Sequence, residues 1–180
     1  LHGRLQAATI RGYTYHNFLF DGQIARRHAE LQSAIRDTAI VFDLKASADL
    51  TDKYPALKLD WLIDTMDLHA MHLVEDTLQF KGRLHADMAS TNPDSLIGRL
   101  KMDSLFLLQG AKKYTTDSIL LTAARINEMQ DIQLHSEMAD LDWNGRYKLT
   151  EVARALQHTI NNYYRINGYK DSVFTEQEWR

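Results

Sequence analysis

Apolar and polar side chains alternate along much of this chain, most regularly over residues 78–88. The even positions of that run are apolar or small, and the odd positions are polar. Side chains on a β-strand project to opposite faces with a period of two, so the run predicts a strand with one apolar and one polar face. At ~3.3 Å per residue the strand would be about 35 Å long, which exceeds the usual length of a strand.

The same alternation recurs along the chain. The sequence GRLHAD at residues 82–87 is echoed by GRLKMD at 98–103 and more weakly by GRLQAA at 3–8. The spacing between these stretches is irregular, which favours a strand type that is used several times over a solenoid with a fixed repeat. The alternative is that the similarity of the three stretches arose by chance. The pattern predicts ten strands: 3–10, 13–24, 28–35, 38–50, 57–63, 67–74, 78–88, 96–108, 119–126 and 132–143. Asn92-Pro93-Asp94 predicts a turn, and Asn144-Gly145 predicts a two-residue hairpin.

The spacing of apolar residues changes near the C-terminus. From Thr150 they recur at helical intervals, at Val152, Leu156 and Ile160, and Thr150 is a suitable N-cap. We therefore expect one domain with a sheet over residues 1–148, a closing helix over 149–168 and an irregular tail over 169–180. The helix is expected to place Val152, Leu156 and Ile160 against the apolar face of the sheet.

Composition excludes several classes of protein. Of the 180 residues, 44% are hydrophobic and 25% are charged, as in globular domains. The net charge of −3 provides no basic field for nucleic acid, and the absence of cysteine excludes disulfides and a thiol nucleophile. The sequence has no apolar run long enough for a transmembrane helix and no signal peptide. Because it begins at Leu1 in a strand-like pattern, we expect it to be part of a larger protein.

The polar residues do not predict an active site. On a strand, His69 and His72 would point to opposite faces, so no metal site is expected. The acidic residues alternate with lysine and arginine, which favours a solvated sheet face with cross-strand charge pairs over acid–base catalysis. The sequence has no glycine-rich phosphate loop, nucleophile elbow or HExxH motif. No catalytic residue and no cofactor are therefore expected.

The apolar strand faces carry the functional prediction. About ten such faces must be buried, and the sequence predicts only one helix to cover them. A long antiparallel sheet can curl so that its apolar face lines a trough or a barrel, and a cavity lined in this way would suit acyl chains. A filled sandwich or barrel core without a ligand is the alternative. The expected lining residues are Phe42, Leu44, Leu59, Trp61, Leu78, Phe80, Leu84, Met88, Leu100, Met102 and Phe106.

Four stretches carry a resemblance to a known family. They are the aromatic run at residues 13–18 with Asp21-Gly22, the strand from Arg36-Asp37 to Leu50, the turn at 92–96, and a closing unit. That unit runs from Asn144-Gly145-Arg146-Tyr147 through the predicted helix to Asn162-Tyr163-Tyr164. Over residues 1–166 the chain resembles the bacterial TamB/AsmA-like proteins, in the form found in Bacteroidetes.

The resemblance implies a β-taco, a U-shaped sheet with an apolar groove, in a protein that crosses the periplasm and is anchored in the inner membrane outside this sequence. It implies that phospholipid moves through the groove toward the outer membrane, and that adjacent segments of the same chain continue the groove. The alternative is a non-catalytic docking module for outer-membrane protein assembly, which would contact a barrel protein through exposed strand edges. An enzyme is the least favoured class.

Overall fold

The alternating pattern forms ten antiparallel strands that pair in the order of the sequence. The computed structural model describes residues 1–151. The strands are β1 (His2–Ile10), β2 (Tyr13–Ala25), β3 (His28–Arg36), β4 (Ile40–Asp49), β5 (Ala56–Asp67), β6 (Leu78–Ser90), β7 (Ile97–Gln109), β8 (Lys112–Ile126), β9 (Met129–Ser136) and β10 (Asp140–Gly145). Each strand is hydrogen-bonded to the next, in a single sheet. The prediction of a mostly β chain with one long antiparallel sheet is confirmed.

The sheet is open. Within residues 1–151, no strand pairs with the outer edge of β1 or of β10. A short 3-10 helix, Pro93–Ser95, lies between β6 and β7, and residues 149–151 are helical. The predicted helix face of Val152, Leu156 and Ile160 and the predicted tail lie outside the described residues.

One predicted strand does not form. Residues 67–74 were expected to form a strand, but β5 ends at Asp67 and a loop follows. The Ala70 N–H donates to the Asp67 side chain at 2.9 Å, and the Met71 N–H donates to the Asp67 carbonyl at 3.1 Å. The chain here forms local turn hydrogen bonds instead of a strand ladder.

The predicted strand over residues 132–143 is two strands, β9 and β10, joined by a turn at 137–139. The hydroxyl of Ser136 accepts from the Ala139 N–H at 3.1 Å, which closes this turn. Asn144 and Gly145 do not form the predicted hairpin turn, because they lie within β10 opposite Asp131 and Gln130. The strand predicted over 119–126 also begins earlier, at Lys112.

Candidate functional site: an apolar sheet face

Cross-strand pairing arranges the apolar residues in rows that run across the sheet. Residues directly opposite each other in an antiparallel ladder project to the same face. One row extends without interruption from β2 to β10 and has no polar side chain. Its members are Gly22, Leu31, Ala46, Leu59, Ala86, Leu100, Leu121, Leu134 and Leu141. We call the face that carries this row the inner face.

The next row along the strands projects to the opposite, outer face and is entirely polar. Its members are Gln23, Glu30, Ser47, Lys58, Asp87, Arg99, Thr122, Gln133 and Asp142. The Lys58 ammonium lies 3.7 Å from the Asp87 carboxylate, and His85 Nδ1 lies 2.8 Å from the Asp60 carboxylate. The expected cross-strand charge pairs are confirmed at these positions.

The structure brings together ten of the eleven predicted lining residues. They lie on the inner faces of β4 to β7, in the rows that continue from Leu44 through Trp61 and Leu84 to Met102. All ten are buried or half-buried, because each is flanked by apolar neighbours in the same row and in other rows of the inner face. They are Phe42, Leu44, Leu59, Trp61, Leu78, Phe80, Leu84, Met88, Leu100 and Met102.

Phe106 was predicted on this face and lies on the other. Ser104 has a φ of 53°, and the ladder between β6 and β7 shifts register beside it. Phe106 consequently pairs with Lys81, and its ring lies 6.0 Å from the Lys81 ammonium and 5.3 Å from that of Lys113. The bulge moves every later residue of β7 to the opposite face.

The same bulge adds inner-face residues that strict alternation misses. Leu107 pairs with Phe80 and so projects inward, as does Leu105, which precedes it by two residues. A similar irregularity in β5 places Ile63 and Met66, three residues apart, on the inner face. The only sequence signal for these bulges is an apolar spacing of three within a run of twos.

Much of the inner face remains open to solvent within the described residues. Leu5 is 45% exposed, Leu141 is 51% exposed and Ile24 is 76% exposed, although all three project inward. A sheet of this kind in a filled domain would bury these side chains against a second layer. The described part of the chain supplies no such layer over most of the face.

One end of the inner face has a partial cover. The strands end along two sides of the sheet. We call the side that carries the β1–β2, β3–β4 and β5–β6 connections the first rim, and the side at the other ends of the strands the second rim. In the loop after β5, Met71 is 2% exposed and packs with Ile35, Ala39 and Ile40. The sequence pattern does not indicate this contact, because it predicts a strand at Met71.

A buried carboxylate organises the first rim beside this cluster. The side chain of Asp37 is 1% exposed and accepts hydrogen bonds from the Tyr13 hydroxyl, from His16 Nδ1 at 2.9 Å and from the Ala39 N–H at 3.1 Å. Burial acts to raise the pKa of Asp37, but these hydrogen bonds outweigh it and lower the pKa from 3.8 to about 2. Burial, followed by the hydrogen bond to Asp37, raises the pKa of Tyr13. The cluster fixes the β3–β4 turn.

The second rim holds the start of the C-terminal helical segment. The Thr150 N–H and hydroxyl donate to one carboxylate oxygen of Asp94 at 3.0 and 2.7 Å. A carboxylate at a helix N-terminus satisfies its unpaired N–H groups and its positive dipole. The predicted N-cap is therefore corrected, because Thr150 lies inside the helical segment and Asp94 provides the capping oxygen. The Tyr147 ring stacks on Trp143, with centroids 4.5 Å apart.

The described residues contain no group of three or more His, Asp or Glu side chains arranged to hold a metal ion. Over the same part of the chain, no helix has the length and apolar character needed to span a membrane.

Comparisons of the chain with models of protein families, with curated proteins and with solved structures find no match.

Proposed function

We propose that this chain is a segment of a periplasm-spanning, TamB/AsmA-like protein, and that its inner face conducts phospholipid toward the outer membrane. The observation that carries the proposal is the apolar row from Gly22 to Leu141. With strands ~4.8 Å apart, a row of this kind extends for about 38 Å. Acyl chains bind by burying apolar surface and need no directional partner, so a uniform row lets them slide.

The arrangement separates the two parts of a phospholipid. Its acyl chains would lie on the inner face, and its charged headgroup would remain in solvent beyond a rim. Because the described residues leave much of the inner face uncovered, acyl chains can reach it along its length. A site for a polar metabolite would need convergent polar groups, which this face does not provide.

Native mass spectrometry with lipid extraction tests the proposal. The purified chain should carry phospholipid, detected as added mass and identified in the extract. A matched variant, Leu100→Asp, should carry much less, because it places a charge in the middle of the apolar row, whereas Lys101→Ala on the outer face should retain it. A chain that carries no phospholipid in any of these forms would contradict the proposal.

The free sheet edges support a second candidate function. No strand within residues 1–151 pairs with the outer edges of β1 and β10, and unpaired edges are templates for strand addition. A docking module for outer-membrane protein assembly would use these edges to contact a barrel protein. A lipid-free mass combined with a barrel partner captured at β1 or β10 would favour this candidate.

A further inference from the structure

The loop between β5 and β6 lies across the inner face at the first rim. We call residues 68–76 the strap. Its Met71 packs on Ile35 of β3 and Ile40 of β4, and its His72 ring lies 6.2 Å from the Tyr13 ring in β2. Because the strands are ordered β2-β3-β4-β5, the strap extends over the neighbouring strands as far as β2.

Beyond Leu68, whose N–H donates to the Leu78 carbonyl of β6 at 2.9 Å, the strap is folded on itself. The Met71 N–H donates to the Asp67 carbonyl at 3.1 Å, and the Leu73 N–H donates to the Leu68 carbonyl at 2.9 Å. Among the described residues, no backbone hydrogen bond joins 69–76 to β1, β2, β3 or β4. The strap can therefore leave the inner face without breaking a strand ladder.

A cavity of about 260 Å³ lies on the inner face of β1 to β4, next to the contact made by Met71. Its walls include Leu5, Phe18 and Phe42, together with Ile35 and Ile40. Ile35 and Ile40 are also the residues on which Met71 packs. The cavity and the Met71 contact are thus two parts of one apolar site.

We propose that this site takes an acyl chain and that Met71 occupies part of it until the acyl chain displaces it. Methionine is unbranched and flexible, so its side chain resembles a short stretch of acyl chain in shape and in packing. The wall surface is almost entirely apolar, with Tyr15 the one wall residue that carries a hydroxyl, and such a lining selects a hydrocarbon over a polar ligand. The inference rests on the proposed function. It adds a site on the inner face that is blocked while Met71 occupies it and accessible to an acyl chain once Met71 is displaced.

The test uses parinaric acid, a fluorescent polyene fatty acid that accepts energy from tryptophan. The Trp61 ring lies 5.9 Å from Phe42, a wall of the cavity, so Trp61 reports on a probe bound there. The chain has three tryptophans, and replacing Trp143 and Trp179 by Phe leaves Trp61 as the reporter. In this background, Met71→Ala should lower the Kd of the probe about tenfold. Leu73→Ala changes an exposed side chain of the same strap and should leave the Kd within about twofold.

A second measurement uses the unaltered strap, in case Met71→Ala prevents folding. Saturating parinaric acid should accelerate hydrogen exchange at the Met71 and Leu73 amides, because displacement of Met71 opens the turn that protects them. Equal Kd values for the two folded variants would overturn the strap site, as would unchanged or slower exchange. If the probe still binds elsewhere on the chain in that case, the proposed function stands. A chain that binds no probe contradicts both proposals.

Discussion

Asp37 makes the free energy of unfolding of the protein depend on pH in the acid range. A carboxyl pKa lowered from 3.8 to about 2 stabilises the folded state only while the group is ionised. The contribution is about 2 kcal/mol, present in full above pH ~4 and lost as the pH falls from ~4 toward ~2. Unfolding by urea at a series of pH values should show this loss. In Asp37→Asn the free energy of unfolding should vary much less with pH over the same range.

The control for this prediction is Asp43→Asn. Asp43 pairs with Arg36 at 2.7 Å, but its side chain is 46% exposed, so the pair is screened by solvent. We expect Asp43→Asn to change the free energy of unfolding by about 0–1 kcal/mol. If the two variants have the same effect at neutral pH and in acid, Asp37 does not have the role assigned to it.

Leu100 and Lys101 are consecutive residues that project to opposite faces, so they separate the roles of these faces. Leu100→Asp places a charge in the inner row and should cost several kcal/mol or block acyl chains. Lys101→Ala alters an exposed ion pair with Asp103 and should cost about 0.5 kcal/mol. Complementation by the intact protein and thermal unfolding of the two variants measure the difference. Equal effects would contradict the division into two faces.

The assignment of single residues to faces could be predicted wherever alternation is unbroken. Leu78, Leu84 and Met88 lie as the period of two requires. Phe106 departs from this period, because Ser104 adopts a positive φ that the residue type does not predict. Serine has no special preference for that conformation, so the spacing of three residues between Met102 and Leu105 is the only local sign of the bulge.

Turns and strand boundaries were harder to predict than the strands. The predicted number of ten strands agrees with the structure only because a false strand at 67–74 offsets the split of 132–143 into β9 and β10. Arg26-Arg27 and Asn127-Glu128 form hairpin turns with two positive φ values each, whereas Asn144-Gly145, the preferred pair for such a turn, lies within a strand. Pairing with neighbouring strands overrode the local preference.

The contact between Asp94 and Thr150 should anchor the C-terminal helical segment to the second rim. Asp94→Asn keeps the shape of the side chain but removes the charge that favours the helix N-terminus. We expect a loss of about 1 kcal/mol at this contact, seen as faster hydrogen exchange of the Thr150 amide. Asp52→Asn, in the β4–β5 turn on the same rim, is the matched control and should leave that exchange unchanged. Equal exchange rates in the two variants would show that Asp94 does not cap the segment.

At the level of the molecule, the sequence predicted an open apolar face and could not predict what partly covers it. One predicted helix cannot bury ten apolar strand faces, and the exposure of Leu5 and Leu141 agrees with that reasoning. The Met71 strap was hidden because only its start, residues 67–70, alternates like a strand and the apolar residues after it resemble a continuation, which tertiary packing alone distinguishes from a loop. The same limit applies to the rim cluster of Asp37, because two of its partners, Tyr13 and His16, are more than twenty residues away in sequence.

Photo-crosslinking in cells tests whether the inner face conducts lipid in the intact protein. A photoreactive amino acid at Phe80 or Leu100 lies on the inner face and should capture phospholipid. Phe106 is the matched control, because it is also aromatic and half-buried but projects outward between two lysines. Its β7 strand is shared with Leu100, so local folding and expression affect both positions alike.

The two positions on β7 make the result decisive. An apolar side chain on a membrane-adjacent protein can contact lipid nonspecifically, and such contact would label Phe106 at least as well as Leu100. Conduction along the inner row instead requires capture at Phe80 and Leu100 with little capture at Phe106. If neither inner position captures phospholipid, the rows are the core of a packed domain, and the exposed edges of β1 and β10 become the surfaces through which this chain acts.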